Sequence, residues 1–539
     1  MLMVSGRGSG GRDIHRTSKG ACMKKHGDSN TIVSAACGLA LALATLPAWA
    51  VGTLIPAAQR TDMAHDGARG VVYVANGGEV LRYHLGSGGF LAPIVLGGSL
   101  RGLDLSLDQG TLAVADDVSS ATEAWVHLVS LDDLSVRKAS IAKTSTYEGG
   151  THSVAFGGDG KLYASSAFWG SGWVPMRRFD TVSNGWTTLA TVMQDTMLSP
   201  SGDGRKIAFA ESNNSSGPWG LVDIPSGQIV RRDGYVNGTA WYNYEIAANR
   251  DGSQFAIPTY GGTQIYDTTY QKIATIGQYA GPQPIAAAYH PVEPIAYFPW
   301  SQTGEVRAYS MNGFTQTEAY DFEDTFSSTG NHAYQQGRTK LSRDGSLLMV
   351  SVNGGVRALQ LYAPLDAAPV SASAIAGVPV SITLAGSIGN GGALNYAVAA
   401  QPSHGTLALS GASATYTPAA DFTGTDSFRY AVRYGQAVRE AVVTVAVTRP
   451  NTNPVATNDQ ARTKRTAILI PVLVNDSDAD GDPLSIITVT QPVRGVTRIE
   501  GDKIRFTPPA SWSGSVSFDY TISDGRGGTA QARVTVYRQ

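Results

Sequence analysis

The chain is poor in cysteine: its 539 residues contain two, Cys22 and Cys37. Both fall within residues 1–50, where a basic Met23–Lys25 segment precedes an apolar run that ends in Ala-Trp-Ala. A basic start, an apolar centre and an A-x-A end are typical of a secretory signal peptide. We therefore expect a leader over residues 1–50 and a mature protein without thiols or disulfides. Metal binding, loop closure or core burial must then stabilise the fold.

Long apolar runs and an excess of positive charge are missing as well. No stretch after the leader is long and apolar enough to span a bilayer. The leader takes six basic and two acidic residues from the totals of 41 and 43, so the mature chain has a net charge of −6. This balance is unlike that of a nucleic-acid-binding surface. We expect a secreted protein, extracellular or at the cell surface with the periplasm as the alternative, that is monomeric and has no nucleic-acid partner.

Helical periodicity is nearly absent, whereas a polar turn followed by a short apolar strand recurs seven times between residues 64 and 352. Examples are SLDQGTLAVAD and SRDGSLLMVSV, and the repeats start 42, 51, 42, 50, 41 and 52 residues apart. A unit of this length matches a four-stranded sheet, which buries both faces only when several sheets are arranged radially. The sequence predicts an all-β protein with a seven-bladed β-propeller over residues 51–363. An outer strand from Thr53–Ala58 is expected to close the ring.

The C-terminal region contains a different repeat with a period of 90 residues. Residues 401–432 align with residues 491–522, and Tyr430 matches Tyr520 in the aligned segments. About 85 residues of alternating strands per copy predict a β-sandwich. We expect two such domains, at residues 364–449 and 450–539, joined stiffly by the proline-containing linker RPNTNP.

Both regions resemble known families. The propeller region is similar in period to the YVTN/WD40-like propellers of secreted bacterial proteins, although only SPSGDG approaches their usual SPDG turn. The C-terminal pair resembles the tandem Ig-like/cadherin-like modules of bacterial secreted and surface proteins, and the second copy carries the specific signature VLVNDSDADGDPL.

The acidic part of that signature begins like an EF-hand calcium loop, but its twelfth position is Ile487 instead of the required glutamate. The matching segment of the first copy, GSIGNGGAL, lacks the acids, so the fold does not require them. Crowded carboxylates repel one another unless a cation neutralises them, and oxygen ligands favour calcium. The resemblance implies a Ca²⁺ site, with a solvated acidic turn as the alternative. Its predicted ligands are Asn475, Asp476, Asp478, Asp480 and Asp482, with Asp459 or Asp524 nearby.

Aligning the propeller repeats predicts which side chains gather at one face of the ring. Basic and polar residues fall at one level of the innermost strands, and aromatic residues fall in neighbouring loops. Such a mixture suits sugar rings and their carboxylates, although large aromatics also pack between blades. The predicted ligand-binding residues are Arg60, Arg101, His152, Trp169, Trp173, Tyr242, Tyr244 and Tyr334.

Three functions fit these features. We favour a binding protein that recognises an extracellular polysaccharide, acidic in character, or a surface protein, through a propeller on a Ca²⁺-stiffened stalk. The alternative is an extracellular polysaccharide lyase or hydrolase acting on a uronic-acid-containing glycan, and the third function is a structural module of an envelope assembly. For the enzyme, the predicted catalytic residues are Arg101, Glu148, His152, Tyr244 and Arg338.

Overall fold

The structure is a computed structural model that describes residues 52–170, 172–212, 218–232, 243, 245–278, 281–324, 326, 334 and 337–539. The predicted signal peptide lies outside this range. None of the helices in the described part of the chain is long and apolar enough to cross a membrane.

Seven antiparallel four-stranded sheets, the blades, form the N-terminal part of the described chain. Blade 1 contains β2 (Arg60–Asp66), β3 (Val71–Asn76), β4 (Glu79–His84) and β5 (Gly89–Val95). Blade 2 contains β6 (Leu100–Leu105), β7 (Thr111–Asp116), β8 (Glu123–Ser130) and β9 (Val136–Ala142). Blade 3 contains β10 (Glu148–Phe156), β11 (Leu162–Phe168), β12 (Trp173–Asp180) and β13 (Gly185–Met193). Blade 4 contains β14 (Thr196–Pro200), β15 (Lys206–Glu211), β16 (Trp219–Asp223) and β17 (Gln228–Arg232).

The remaining blades continue the same order. Blade 5 contains β18 (Ala247–Ala248), β19 (Gln254–Thr259), β20 (Gly262–Asp267) and β21 (Lys272–Ile276). Blade 6 contains β22 (Ala288–Tyr289), β23 (Ile295–Pro299), β24 (Glu305–Ser310) and β25 (Thr315–Asp321). Blade 7 contains β26 (Thr339–Leu341), β27 (Leu347–Val352), β28 (Gly355–Gln360) and the N-terminal β1 (Thr53–Pro56).

The blades close into a ring. The first strand of each blade contacts the first strand of the next, and β26 contacts β2. Strand β1 pairs antiparallel with β28, from Thr53 opposite Ala358 to Pro56 opposite Gly355. The N-terminal segment therefore completes the last blade, as the sequence predicted, and the described sheets form a seven-bladed propeller.

The hydrophobic core lies between adjacent blades, because each sheet buries both of its faces against its neighbours. Tyr73 of blade 1 packs in one buried cluster with Leu103 and Leu112 of blade 2. Ile55 of the closing strand packs with Met63 of blade 1 in another cluster. Burial of apolar side chains therefore holds the ring together without a disulfide.

Two C-terminal β-sandwiches follow the propeller. The first contains β29 (Asp366–Ala368), β30 (Val370–Ile375), β31 (Val380–Thr383), β32 (Ala385–Ser387), β33 (Asn395–Ala400), β34 (Gly405–Ser410), β35 (Ser413–Pro418), β36 (Gly424–Tyr434) and β37 (Ala437–Thr448). The second contains β38 (Asp459–Thr463), β39 (Ile468–Ile470), a short 3-10 helix (Val472–Asn475), β40 (Ser485–Val489), β41 (Val496–Glu500), β42 (Lys503–Thr507), β43 (Ser515–Ser523) and β44 (Thr529–Arg538). Each sandwich packs a four-stranded sheet on a three-stranded sheet, and the first has an additional pair, β29 and β32.

Candidate functional site

The propeller has two faces, of which one is covered. We call the edge where the innermost strands begin the upper face, and the opposite edge the lower face. The first sandwich contacts the lower face: Tyr434 Oη donates to Glu293 Oε1 at 2.5 Å, and Gln436 Nε2 donates to the Asp203 carbonyl at 2.6 Å. Those of the predicted propeller residues that the structure describes begin the innermost strands or lie in the loops beside them, so they belong to the upper face.

At the axis of the upper face, Arg338 forms buried ion pairs. Its Nε donates to Asp62 Oδ1 at 2.8 Å, and its Nη1 donates to Glu245 Oε2 at 2.7 Å. Lys340 Nζ donates to the other oxygen of Asp62 at 2.8 Å. Burial raises the pKa of Glu245 to about 7, although Arg338 opposes this effect. Arg338 therefore links blades 1, 5 and 7, and the donors that it uses on Asp62 and Glu245 do not support its predicted role as a catalytic residue.

His152 and Tyr334 form a second buried contact near the axis. Tyr334 Oη donates to the His152 carbonyl at 2.7 Å, and the two ring centroids are 5.0 Å apart. Each residue is 8 % exposed. Burial lowers the pKa of His152, although Asp195, whose carboxylate lies 3.4 Å from Nδ1, opposes this effect. The imidazole is thus neutral near pH 7, and neither residue presents a large surface to a ligand.

The other two predicted arginines, at the start of the innermost strands of blades 1 and 2, differ from each other. Arg101 donates from Nε and Nη2 to Asp117 Oδ2, at 3.2 and 2.8 Å, and remains about one-third exposed. Arg60 is half-buried, and its Nε has no hydrogen-bond partner among the described residues. Burial lowers the pKa of Arg60. The basic side chains of this face are thus compensated by three acids, Asp62, Asp117 and Asp195, that the alignment of repeats did not identify.

Glu148 lies inside blade 3 and does not face the axis. Arg177 donates to its two carboxylate oxygens at 2.5 and 3.1 Å, and Ser166 Oγ and the Thr144 backbone also donate to it. Burial opposes ionisation, but these hydrogen bonds outweigh it and lower the pKa of Glu148. The carboxylate is 1 % exposed, and these partners within and next to blade 3 occupy both of its oxygens. This position corrects the prediction of Glu148 as a catalytic acid or base.

Aromatic side chains form an exposed patch on the upper face of blade 3. Tyr147, Trp169 and Trp173 are 61, 63 and 50 % exposed. The ring of Phe168 stacks on Tyr147 with centroids 5.9 Å apart, and the Trp169 backbone N–H donates to the Tyr147 carbonyl. Gln194 anchors the loop between Phe168 and Trp173, because its side chain bonds to the backbone of Gly170 and Gly172. We call Tyr147, Phe168, Trp169 and Trp173 the aromatic patch.

Two cations that the sequence pattern did not indicate lie against this patch. Lys143 Nζ lies 5.0 Å from the centroid of Trp169, and the Arg231 guanidinium lies 5.2 Å from that of Trp173. Both distances are within the range of cation–π attraction. Arg231 belongs to blade 4, so no local pattern in the sequence places it near Trp173.

Other aromatics of the predicted loops have different positions. Trp219 and Trp300 are 5 and 7 % exposed and pack in clusters between blades. They therefore belong to the core. Tyr242 and Tyr244 lie outside the described residues, so the structure does not place these two predicted ligand-binding residues.

The acidic loop of the second sandwich divides into two groups. Ligand oxygens of Asp478, Asp480 and Asp482 lie within 4.8 Å of one another. Asp476 is directed elsewhere, since it accepts hydrogen bonds from Tyr520 Oη and the Thr457 backbone N–H. Asn475 Nδ2 donates to backbone carbonyls. The predicted five ligands thus reduce to a cluster of three, which we call the Asp cluster.

The Asp cluster fits a hard cation. Oδ2 of Asp478 and Oδ2 of Asp482 are buried and have no hydrogen-bond partner among the described residues. Three carboxylates can supply up to six oxygens, which is near the number that calcium prefers. Arg526 Nε lies 3.2 Å from Asp482 Oδ1 and partly neutralises the cluster. The Thr452 backbone N–H donates to Asp480 at 2.6 Å, so the cluster also contacts the linker between the sandwiches.

Comparisons with known proteins agree with this architecture. Residues 363–448 and 451–537 each match the bacterial Ig domain family, so the two sandwiches are bacterial Ig domains. No curated protein matches the chain.

Similar solved structures include hydrazine synthase of Kuenenia stuttgartiensis, at 13 % identity and TM-score 0.43 over 57 % of this chain and 97 % of that chain. The mitotic checkpoint complex matches at 14 % identity and TM-score 0.42, over 57 % of this chain and 89 % of that chain. The Cps50 (Swd1) β-propeller domain of Myceliophteria thermophila matches at 9 % identity and TM-score 0.40, over 57 % and 97 %. Because these similarities are low, the propeller assignment rests on the strand pairing described above.

Proposed function

We propose that this protein is an exported binding protein that recognises an acidic glycan at the aromatic patch of its propeller. Bacterial Ig domains and a propeller are compatible with a binding protein outside the cell. The observation that carries the proposal is the exposure of Tyr147, Trp169 and Trp173 on one anchored pair of loops. Exposed aromatic patches on folded proteins mark interaction sites, and flat rings stack well on sugar faces.

The charge around the patch supports an acidic ligand. Lys143 and Arg231 each lie against one tryptophan, and Arg101 lies on the same face of the neighbouring blade. These cations stand out in a mature chain of net charge −6. A ligand that stacks on Trp169 or Trp173 would bring its carboxylates or sulfates near Lys143 and Arg231. Arginine is especially suited to carboxylate recognition because its planar donors match the two oxygens.

The arrangement of the domains favours the same face. Tyr434 and Gln436 hold the first Ig domain against the lower face, whereas the aromatic patch lies on the opposite face and is exposed. The first Ig domain then supports the propeller from its lower face.

Calcium is part of this proposal. The Asp cluster would bind Ca²⁺ and so remove the mutual repulsion of its carboxylates. Because Thr452 of the linker donates to Asp480, bound calcium would also stabilise the junction of the two Ig domains.

Affinity electrophoresis of the mature protein in gels containing a polysaccharide tests the proposed function. Alginate and polygalacturonate, which consist of uronic acids, should retard the protein, and neutral dextran should not. Added salt should weaken the retardation, since exposed charge pairs are screened at high ionic strength. Equal mobility in all gels would reject glycan binding and leave a protein partner for the patch. Absorbance from unsaturated sugar ends during incubation with polyuronate would instead indicate a lyase.

A further inference from the structure

A cavity of about 210 Å³ lies on the propeller axis, below the Arg338 ion pairs and above the first Ig domain. Its charged lining consists of Asp104, Glu245, Arg338, Lys340 and Arg343. Gln436 of the first Ig domain reaches its lower end. Since one water molecule needs roughly 10–15 Å³ of such volume, the cavity can hold many waters or one small molecule.

The hydrogen bonds in the cavity leave donors of two cations unmatched. Lys340 Nζ uses two of its three donors, on Asp62 and on the Leu103 carbonyl. Arg343 donates from Nη2 to the Leu105 carbonyl, whereas its Nη1 is buried without a partner among the described residues. A buried donor without a partner, such as Arg343 Nη1, is unfavourable, so this group favours a ligand that accepts hydrogen bonds, and Lys340 can donate a further one.

The charges of the cavity also favour an anion. Three cations, Arg338, Lys340 and Arg343, face the acids Asp62, Asp104 and Glu245. Burial raises the pKa of Asp104 and raises that of Glu245 to about 7. Protonation of Glu245 below pH 7 removes one negative charge and so leaves three cations against two acids.

We propose that the axial cavity is a binding site for a small organic carboxylate. One carboxylate oxygen would accept from Arg343 Nη1, and the same or the second oxygen would accept from the remaining N–H of Lys340. A carboxylate suits this site better than a spherical ion does, because its two oxygens can accept from Arg343 Nη1 and from Lys340 at the same time. Glu245, which contacts Arg338 and lies near Asp62, would keep its proton in the complex, so binding should be tighter at pH 6 than at pH 8. His65 also lines the cavity, but its pKa is lowered to about 4, so it stays neutral over this range.

The test measures the melting temperature of the full mature protein as a function of acetate concentration, with chloride at equal ionic strength as the control. Acetate should stabilise the protein and chloride should not. Arg343→Gln should weaken the apparent acetate affinity at least tenfold, and Asp104→Asn should strengthen it severalfold because it removes a competing negative charge. Arg498→Gln, an exposed arginine of the second Ig domain, should change nothing.

The acetate affinity of each protein is obtained from the change of its melting temperature with acetate concentration. A variant that is less stable without acetate can therefore still be compared with the parent. Equal effects of acetate and chloride on the parent would overturn the proposal. The proposal would also be overturned if Arg343→Gln bound acetate as tightly as the parent and Arg498→Gln do. If Arg343→Gln does not fold, Asp104→Asn provides the test, because its acetate affinity is expected to rise. Unchanged or weaker acetate binding by Asp104→Asn would then contradict the site.

Discussion

Arg177 and Glu148 form a salt bridge in blade 3 in which the two side chains are 5 and 1 % exposed. The pair joins the third strand of the blade to the start of its innermost strand. Ser166 and Thr144 satisfy further oxygen lone pairs of Glu148. A buried pair with complete hydrogen bonding is sensitive to the loss of either partner, because the other charge is then left without compensation.

Glu148→Gln should therefore reduce the free energy of unfolding by about 3–5 kcal/mol, since it leaves Arg177 buried without its counter-ion. Chemical denaturation measures this change. The matched control is Glu440→Gln, which breaks an exposed pair with Arg429 and should cost less than about 1 kcal/mol. Glycan affinity of the folded Glu148 variant should equal that of the parent. Loss of binding without loss of stability would return Glu148 to the functional site.

The buried Glu245 should make stability depend on pH. Its pKa is raised to about 7 in the folded protein from an ordinary value near 4.5, so the folded state holds a proton that the unfolded state has released. The resulting stabilisation is fully present below pH 4.5 and is lost as the pH rises through 7. The glutamine of Glu245→Gln does not titrate. The melting temperature of the parent should therefore fall relative to that of this variant between pH 5 and pH 8.

The control for this comparison is the exposed Glu123→Gln, whose difference from the parent should not vary over the same pH range. Subtracting the melting temperature of each variant from that of the parent at the same pH removes the contributions of other titrating groups. These include the histidines His65 and His290, whose pKa values are lowered to about 4. A constant difference between the parent and Glu245→Gln would show that Glu245 is ionised throughout.

Calcium should stabilise the second Ig domain through the Asp cluster. At a hundredfold excess over Kd, a ligand that binds only the folded state contributes about 2.7 kcal/mol. Calorimetry of the mature protein should show one transition that moves upward in calcium and downward in chelator. Replacing Asp478 and Asp480 by Asn should abolish this shift, and Asp502→Asn, an exposed acid of the same domain, should retain it. A shift of the same size in the double variant would place the metal elsewhere.

The ring could be predicted from the sequence because each turn and strand is repeated locally, and the closing strand follows from the missing fourth strand of the last repeat. The ion pairs at the axis could not be predicted in this way. Asp62 and Arg338 are 276 residues apart and meet only when the ring closes. Alignment of the repeats places Arg101 and His152 at the same level along the propeller axis. It does not show which carboxylates lie beside them.

The acidic loop illustrates the same limit on a smaller scale. Its spacing predicted clustered acids, and Asp478, Asp480 and Asp482 do lie together. Asp476 does not join them because Tyr520, a core residue of a strand 44 positions later, donates to its carboxylate. Likewise, Trp169 and Trp173 could be identified as loop aromatics, but Lys143 and Arg231 could not be assigned to them without the structure.

Calorimetric titration of the mature protein with a soluble polyuronate, carried out on the parent and two variants, tests the glycan site most directly. The double variant Trp169→Ala with Trp173→Ala should bind at least tenfold more weakly, a loss of about 1.4 kcal/mol or more. Its melting temperature should stay close to that of the parent, because both side chains are at least half exposed. Phe90→Ala removes an aromatic ring of similar exposure, 48 %, from the outer strand of blade 1 and should bind like the parent. Equal affinity of all three proteins for the polyuronate would contradict the assignment of the aromatic patch as the glycan site.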